Sequence, residues 1–191
     1  MTPDRIGPIL DAAYVCFTRH GVRRTTMDDI ARQAGMSRPA VYQHVRNKED
    51  AFHRLAGRLL DRSLADARTA AQASGGVADR LAAVLEAKLG LVQSLWRDSP
   101  AHAGELLGSD ARLSADLIAT YNAALRDLLA DTLGTAVPAP DRVEFAELLL
   151  AFTRGLEADL SDPAAPLRRL RHGVALLVAG LEHPHDTKEP S

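Results

Sequence analysis

Apolar positions along this chain recur at helical spacing. Ile9, Ala13, Cys16, Phe17 and His20 fall at i, i+4, i+7, i+8 and i+11. They form one face of a helix that starts near Pro3 or Pro8 and stops at Gly21. Thr26, with Asp29 three residues later, reads as a capping box opening a second helix, whose apolar edge is Ile30, Ala31 and Ala34. Gly35 suits the left-handed conformation that ends a helix. Ser37 then caps a third helix of two turns, with Pro39 in its first turn, where a missing amide proton costs nothing. Val41 and Val45 point inward with Met36 at the corner, so Arg38, Tyr42, Gln43 and Arg46 face out. Asn47 caps a long fourth helix running to Ala73.

"SGG" at 74–76 is the next clear break. Helices over about 77–98, 101–108, 110–134, 140–160 and 163–182 follow, separated by "WRDSP", "LGSD", "GTAVPAP" and "SDPAAP". Residues 183–191 have neither periodicity nor apolar content and read as a disordered tail. No repeat, strand-like alternation or coiled-coil heptad is visible. The pattern therefore predicts an all-α chain of about nine helices. Abundant alanine and leucine agree with it, because both are good helix formers.

With 46% hydrophobic residues, the 191-residue chain can bury a sizeable core. Its one cysteine, Cys16, excludes an internal disulfide and a cysteine-based zinc site, and lies in the apolar stripe as a buried, inert thiol. Pro3, Asp4, Arg5 and Pro8 sit where a signal peptide would need an apolar run, so a cytoplasmic location is expected. The longest apolar run, "GVALLVAGL" at 173–181, is about half of the ~20 residues that cross a membrane. Charge changes the picture more. Residues 1–62 hold eleven Lys and Arg against seven Asp and Glu, while the whole chain has a formal net charge of −2. A basic N-terminal third on an acidic body fits a polyanion met at one end only.

Three helices in about 45 residues, the last two joined through a glycine turn, make a helix-turn-helix unit. A duplex major groove about 12 Å wide admits one helix, and a short helix held across a fixed corner enters it N-terminus first. Arg38 suits guanine, Gln43 suits adenine, and the Tyr42 hydroxyl suits phosphate. Pro39 and Ala40 add no bulk there.

The stretch "ILDAAYVCFTRHGVRRTTMDDIARQAGMSRPAVYQHVRNKEDAF", residues 9–52, resembles the DNA-binding domain of the TetR family of transcriptional regulators. The resemblance rests on "AA…F…G" in the first helix, "TTMDDIARQAGMS" across the second, and "VYQHVRNKED" into the fourth. It implies a DNA-binding domain over 1–47, an effector-binding and dimerisation domain over 48–182, and a tail over 183–191. It further implies a homodimer on a near-palindrome of double-stranded DNA, with Thr26, Ser37, Arg38, Pro39, Tyr42, Gln43, His44 and Lys48 facing the duplex. Tyr42, His44 and Lys48 would touch phosphate; Arg38, Pro39 and Gln43 would lie nearest the bases. Val45 stands where the family usually has phenylalanine, and Pro39 where a small residue is common.

Beyond residue 55 the resemblance is reduced to length and helical content. The last two helices are nonetheless apolar over more surface than one neighbour needs. Phe145, Leu148, Leu149 and Phe152 on one, and Leu170, Val174, Leu177, Val178 and Leu181 on the other, are expected to form a homodimer interface. For an unknown small-molecule effector, the candidate contacts are Trp96, His102, Tyr121, Asn122, Phe152 and Arg154, an aromatic and polar set suited to a mostly apolar pocket.

The resulting expectation is a ligand-responsive regulator, a repressor released from its operator by an effector, needing no cofactor and touching no membrane. The alternative is a helical protein-interaction module that has lost DNA binding. An enzyme is not expected, since no nucleophile elbow, phosphate-cradling glycine loop or H-E-x-x-H helix is present. His183, His185 and Asp186 lie in the polar tail and are not expected to form a metal site.

Overall fold

A computed structural model of the chain describes residues 6–107, 114–134, 137–157 and 165–182. The expectations for the tail and for His183, His185 and Asp186 fall outside these residues, as do those for 108–113 and 158–164, which hold most of the expected breaks "LGSD" and "SDPAAP". Among the described residues there are nine helices and no strand. They are α1 (Ile6–His20), α2 (Met27–Gln33), α3 (Arg38–Tyr42), α4 (Lys48–Ala71), α5 (Val77–Asp98), α6 (Ala103–Leu107), α7 (Ala115–Leu133), α8 (Ala139–Glu157) and α9 (Ala165–Glu182). No described helix is long and apolar enough to cross a membrane.

The predicted ends hold wherever a local residue requirement sets them. α1 stops at Gly21, whose φ of 77° only glycine adopts cheaply. α5 matches its expected span at both ends. α4 is two residues shorter than expected. Its last turn tightens, with the Gln72 and Ala73 amides donating to the Thr69 and Ala70 carbonyls, an i→i−3 pattern. Pro8 lies inside the first turn of α1 rather than before it.

Contacts divide the chain into two compact units. The first comprises residues 1–63 and 91–122; the second comprises 64–90 and 123–191. In the first unit α1, α2, α3 and the start of α4 close around Ile9, Phe17, Ile30, Val41 and Val45, all essentially without exposure. Each side chain of that size contributes about 1.5–3 kcal/mol when fully buried. Phe17 meets Phe52 edge to face, with ring centroids 5.7 Å apart and planes at 71°. Cys16 is buried among them, and burial pushes its thiol pKa up, consistent with an inert thiol. Leu106 of α6 packs against the same core. Two hydrogen bonds tie α1 to the end of α5: the Tyr14 hydroxyl donates to the Asp98 carboxylate at 2.7 Å, and the Ser99 hydroxyl to the Thr18 carbonyl at 2.7 Å.

In the second unit α8 packs on α9, burying Leu149, Leu170 and Val174 completely. The Phe152 ring lies against the backbone of Gly173, where any Cβ would overlap it. Lys88 and Glu157 form an ion pair that is largely buried. Arg171 bridges to Glu86 on the surface, with one nitrogen 3.0 Å from a carboxylate oxygen.

Candidate nucleic-acid interface

The corner is built from hydrogen bonds that its residue types dictate. Thr26 caps α2: its hydroxyl accepts from the Asp29 amide at 3.2 Å, while the Asp29 carboxylate accepts from the Thr26 amide at 3.0 Å. A second bond, from the Thr26 hydroxyl to that carboxylate at 2.6 Å, is the main reason Asp29 titrates below the usual carboxylate range. At the other end of α2, the Gly35 amide donates to the Arg32 carbonyl and the Met36 amide to the Ala31 carbonyl. This is a Schellman closure, and it requires the left-handed φ of 65° at Gly35. Ser37 then caps α3 by accepting from the Ala40 amide at 3.4 Å. Two consecutive caps with one glycine between them fix the angle of α3.

The outer face of α3 is free to carry recognition chemistry. Thr26, Ser37, Arg38, Pro39, Tyr42 and Gln43 are exposed, Tyr42 to 40%. His44 and Lys48 are half-buried. Gln43 ends α3 as its C-cap, so the helix has five residues where two full turns were expected. Val41 and Val45 are fully buried, so the valine at the family's usual phenylalanine position still fills the core.

The Lys48 ammonium donates to the Arg23 carbonyl at 3.1 Å, tying the loop before α2 to the start of α4. Asn47 caps α4 through the Asp50 amide at 2.8 Å, as the sequence predicts.

Two features of this surface are invisible in the periodicity. Thr25 is buried, and its hydroxyl donates to the Gly21 carbonyl at 2.8 Å, anchoring the loop before α2. Asp28 reaches across the corner to Arg38. Helical spacing rules pair residues three or four apart, and these two are ten apart.

All of α2, the turn and α3, and all but the first three residues of α1, fall inside residues 9–55, which match the model of the bacterial regulatory proteins of the tetR family. Over that segment the chain resembles the DNA-binding domain of the TetR family. All eight residues expected at DNA lie within the TetR-matched segment. Among curated relatives, the transcriptional activator FasR of Mycolicibacterium smegmatis is 33% identical over 84 residues, covering 44% of this chain and 38% of that one. The chain thus spans well under half the length of the curated TetR-family relatives it matches. Solved structures extend the likeness of fold. A Pseudomonas aeruginosa PAO1 protein superposes with a TM-score of 0.76 at 22% identity, over 96% of this chain and 93% of that one. SmeT, in its triclosan complex, gives 0.69 at 25% identity over 98% of both chains.

The remaining candidates are dispersed. Trp96, His102, Tyr121 and Asn122 belong to the first unit; Phe152 and Arg154 belong to the second. Tyr121 is buried and shares a hydrogen bond of 2.7 Å with Ser63, Trp96 is 38% exposed, and Arg154 is exposed. A cleft of about 310 Å³ in the second unit is lined by Ser74, Asp79, Arg80, Glu86, Arg171 and neighbouring alanines, and by none of the six. Among the described residues no cluster of His, Cys, Asp and Glu is arranged to hold a metal ion.

Burial divides the residues expected at a homodimer surface. Phe145, Leu149, Leu170 and Val174 are buried within the protomer, because α8 and α9 pack on each other. Their apolar surface is therefore not free for a second copy. Phe152, Leu177, Val178 and Leu181 are half-buried. Leu148 and Leu176 are exposed at 48% and 61%, and Val143 of α8 at 42%.

Proposed function

We propose that this protein is a DNA-binding regulator of transcription. It binds a near-palindromic operator as a homodimer and is released as a repressor when a small molecule occupies its body. The observation that carries the reading is the α3 surface: a short helix doubly capped at a glycine corner, with Arg38, Tyr42 and Gln43 outward and no packing duty. In this reading Arg38, Pro39 and Gln43 meet base edges, while Tyr42, His44 and Lys48 meet phosphate, with Thr26 and Ser37 alongside. Division of labour follows, with residues 1–47 reading DNA and 48–182 holding effector and partner. This boundary is one of function rather than packing, since the core of the first 47 residues continues through Ala51, Phe52 and Leu55.

Selection of genomic fragments by the purified protein at physiological salt tests the reading. The expected result is an enriched near-palindrome. A Tyr42→Ala/Lys48→Ala variant should bind it roughly a hundredfold more weakly, having lost two phosphate contacts per protomer. Its salt dependence should flatten by about two counterions per dimer, one for each lysine removed. No enrichment by a folded protein would instead favour the interaction module.

The exposed leucines of α8 and α9 are proposed as the centre of the homodimer contact. Leu148 and Leu176 are 48% and 61% exposed on two helices that pack on each other. A Leu148→Glu/Leu176→Glu variant should sediment as a monomer while keeping its helical circular dichroism. A variant that stays dimeric would place the contact elsewhere.

The effector is sought among small, largely apolar compounds. SmeT, similar over nearly its whole length, is solved with triclosan. For this chain Trp96, His102, Tyr121, Asn122, Phe152 and Arg154 are the proposed starting points for mapping the effector site.

A further inference from the structure

One carboxylate on the proposed reading surface has no role in the caps that build it. Asp29 closes the capping box, whereas Asp28 beside it is exposed and points across the corner to the first residue of α3. A terminal nitrogen of Arg38 lies 3.3 Å from each Asp28 carboxylate oxygen. The other terminal nitrogen donates to the Tyr42 hydroxyl at 3.4 Å, and the guanidinium carbon stands 5.5 Å from the centre of the Tyr42 ring. Arg38 is thus held from the α2 side by a charge and from the α3 side by a hydroxyl and a ring face.

An arginine at the end of a flexible stem, beside a duplex, is drawn to the nearest phosphate. That contact carries no sequence information, whereas the guanidinium fork against a guanine edge does. A carboxylate placed beside the guanidinium offsets part of its pull toward phosphate and fixes its direction. Its own charge disfavours approach to the DNA backbone, so it lowers affinity for DNA of any sequence. Weaker general binding with a better-aimed fork is a gain in discrimination.

We propose that Asp28 is a specificity-determining positioning residue, which acts through Arg38 to aim the guanidinium at a base edge instead of a phosphate. The inference rests on the reading of α3 as the recognition helix. Both side chains of the pair are more than half exposed in the free protein, at 57% and 56%, so the coupling is modest.

The test is a double-mutant cycle in the full-length protein, with wild type, D28N, R38A and D28N/R38A compared. Each variant is put through selection of random duplexes, then titrated at several salt concentrations against the selected operator and a scrambled duplex. Equal melting temperatures establish that all four are folded. Asp28→Asn should lower preference at one base position per half-site by about two- to fivefold. It should also tighten binding to the scrambled duplex and steepen its salt dependence by about one counterion per protomer, as the released Arg38 turns to phosphate. In the R38A background, Asp28→Asn should leave base preferences unchanged.

If Asp28→Asn instead tightens all sequences equally in both backgrounds, Asp28 is only a repelling charge and the inference is overturned. A wild-type protein that selects no motif would overturn the DNA-binding reading itself, and the inference with it. A wild-type motif with an unchanged D28N motif would remove the inference alone.

Discussion

Replacing Phe17 by alanine is expected to cost about 3–5 kcal/mol, the usual range for removing a buried aromatic ring. Phe17 has no exposed surface, sits in the last turn of α1, and meets Phe52 of α4 edge to face. Its removal leaves a cavity in the core that α1 and α4 share. Against a total stability of about 5–15 kcal/mol, such a loss is a large share of what holds the reading head together. Thermal and urea unfolding of the variant should therefore show a large drop in midpoint, accompanied by loss of operator binding. Gln33→Ala, on the exposed side of α2, is the control and should stay within about 0.5 kcal/mol of wild type. A Phe17→Ala protein as stable as this control would mean that the head is held mainly by something other than the α1–α4 contact.

The second large effect is expected at Lys88. Its side chain is 9% exposed, and that of its partner Glu157 is 18% exposed. Lys88→Ala leaves a largely buried carboxylate without its cation, which costs about 3–5 kcal/mol. Pairs of this kind often contribute little over a well-packed apolar pair, because desolvation offsets their attraction. Lys88→Met/Glu157→Leu should accordingly recover most of the loss. Urea denaturation of the single and double variants measures both numbers. A single variant costing under about 1 kcal/mol would show that water reaches Glu157 once the lysine is gone.

The sequence is most informative where one residue type satisfies a local backbone need. Thr26 with Asp29, Gly35, Ser37 and Asn47 are each legible because a free amide or a left-handed φ admits few solutions. These positions also define the corner, so the geometry that carries the proposed reading surface was the easiest to anticipate. Elsewhere the pattern was ambiguous for a physical reason. In α8 the consecutive residues Leu148, Leu149, Leu150 and Ala151 are apolar around much of the helix. Periodicity cannot choose which of them faces α9; packing buries Leu149 and Leu150 and leaves Leu148 half exposed. The ligand candidates fared similarly. Aromatic identity marks Tyr121 equally well as a pocket wall or as a core residue, and its hydrogen bond to Ser63 depends on a contact 58 residues distant. The contact of Asp28 with Arg38 was not legible because it crosses a turn, where sequence separation says little about distance.

Leu106 brings α6 into the core shared by α1, α2, α3 and α4. The reading head is consequently not a detachable cassette. A fusion that grafts residues 1–47 onto another body would strip away Phe52 and Leu55 from α4 and the Leu106 contact from α6, leaving Phe17 and its neighbours facing solvent. Exchange of operator preference between related proteins is better done by transplanting the outward side chains of α2 and α3 onto the recipient's own scaffold. Hybrid regulators built this way keep their native hydrophobic seam, and the seam, rather than the domain boundary drawn from function, sets where the chain tolerates a splice.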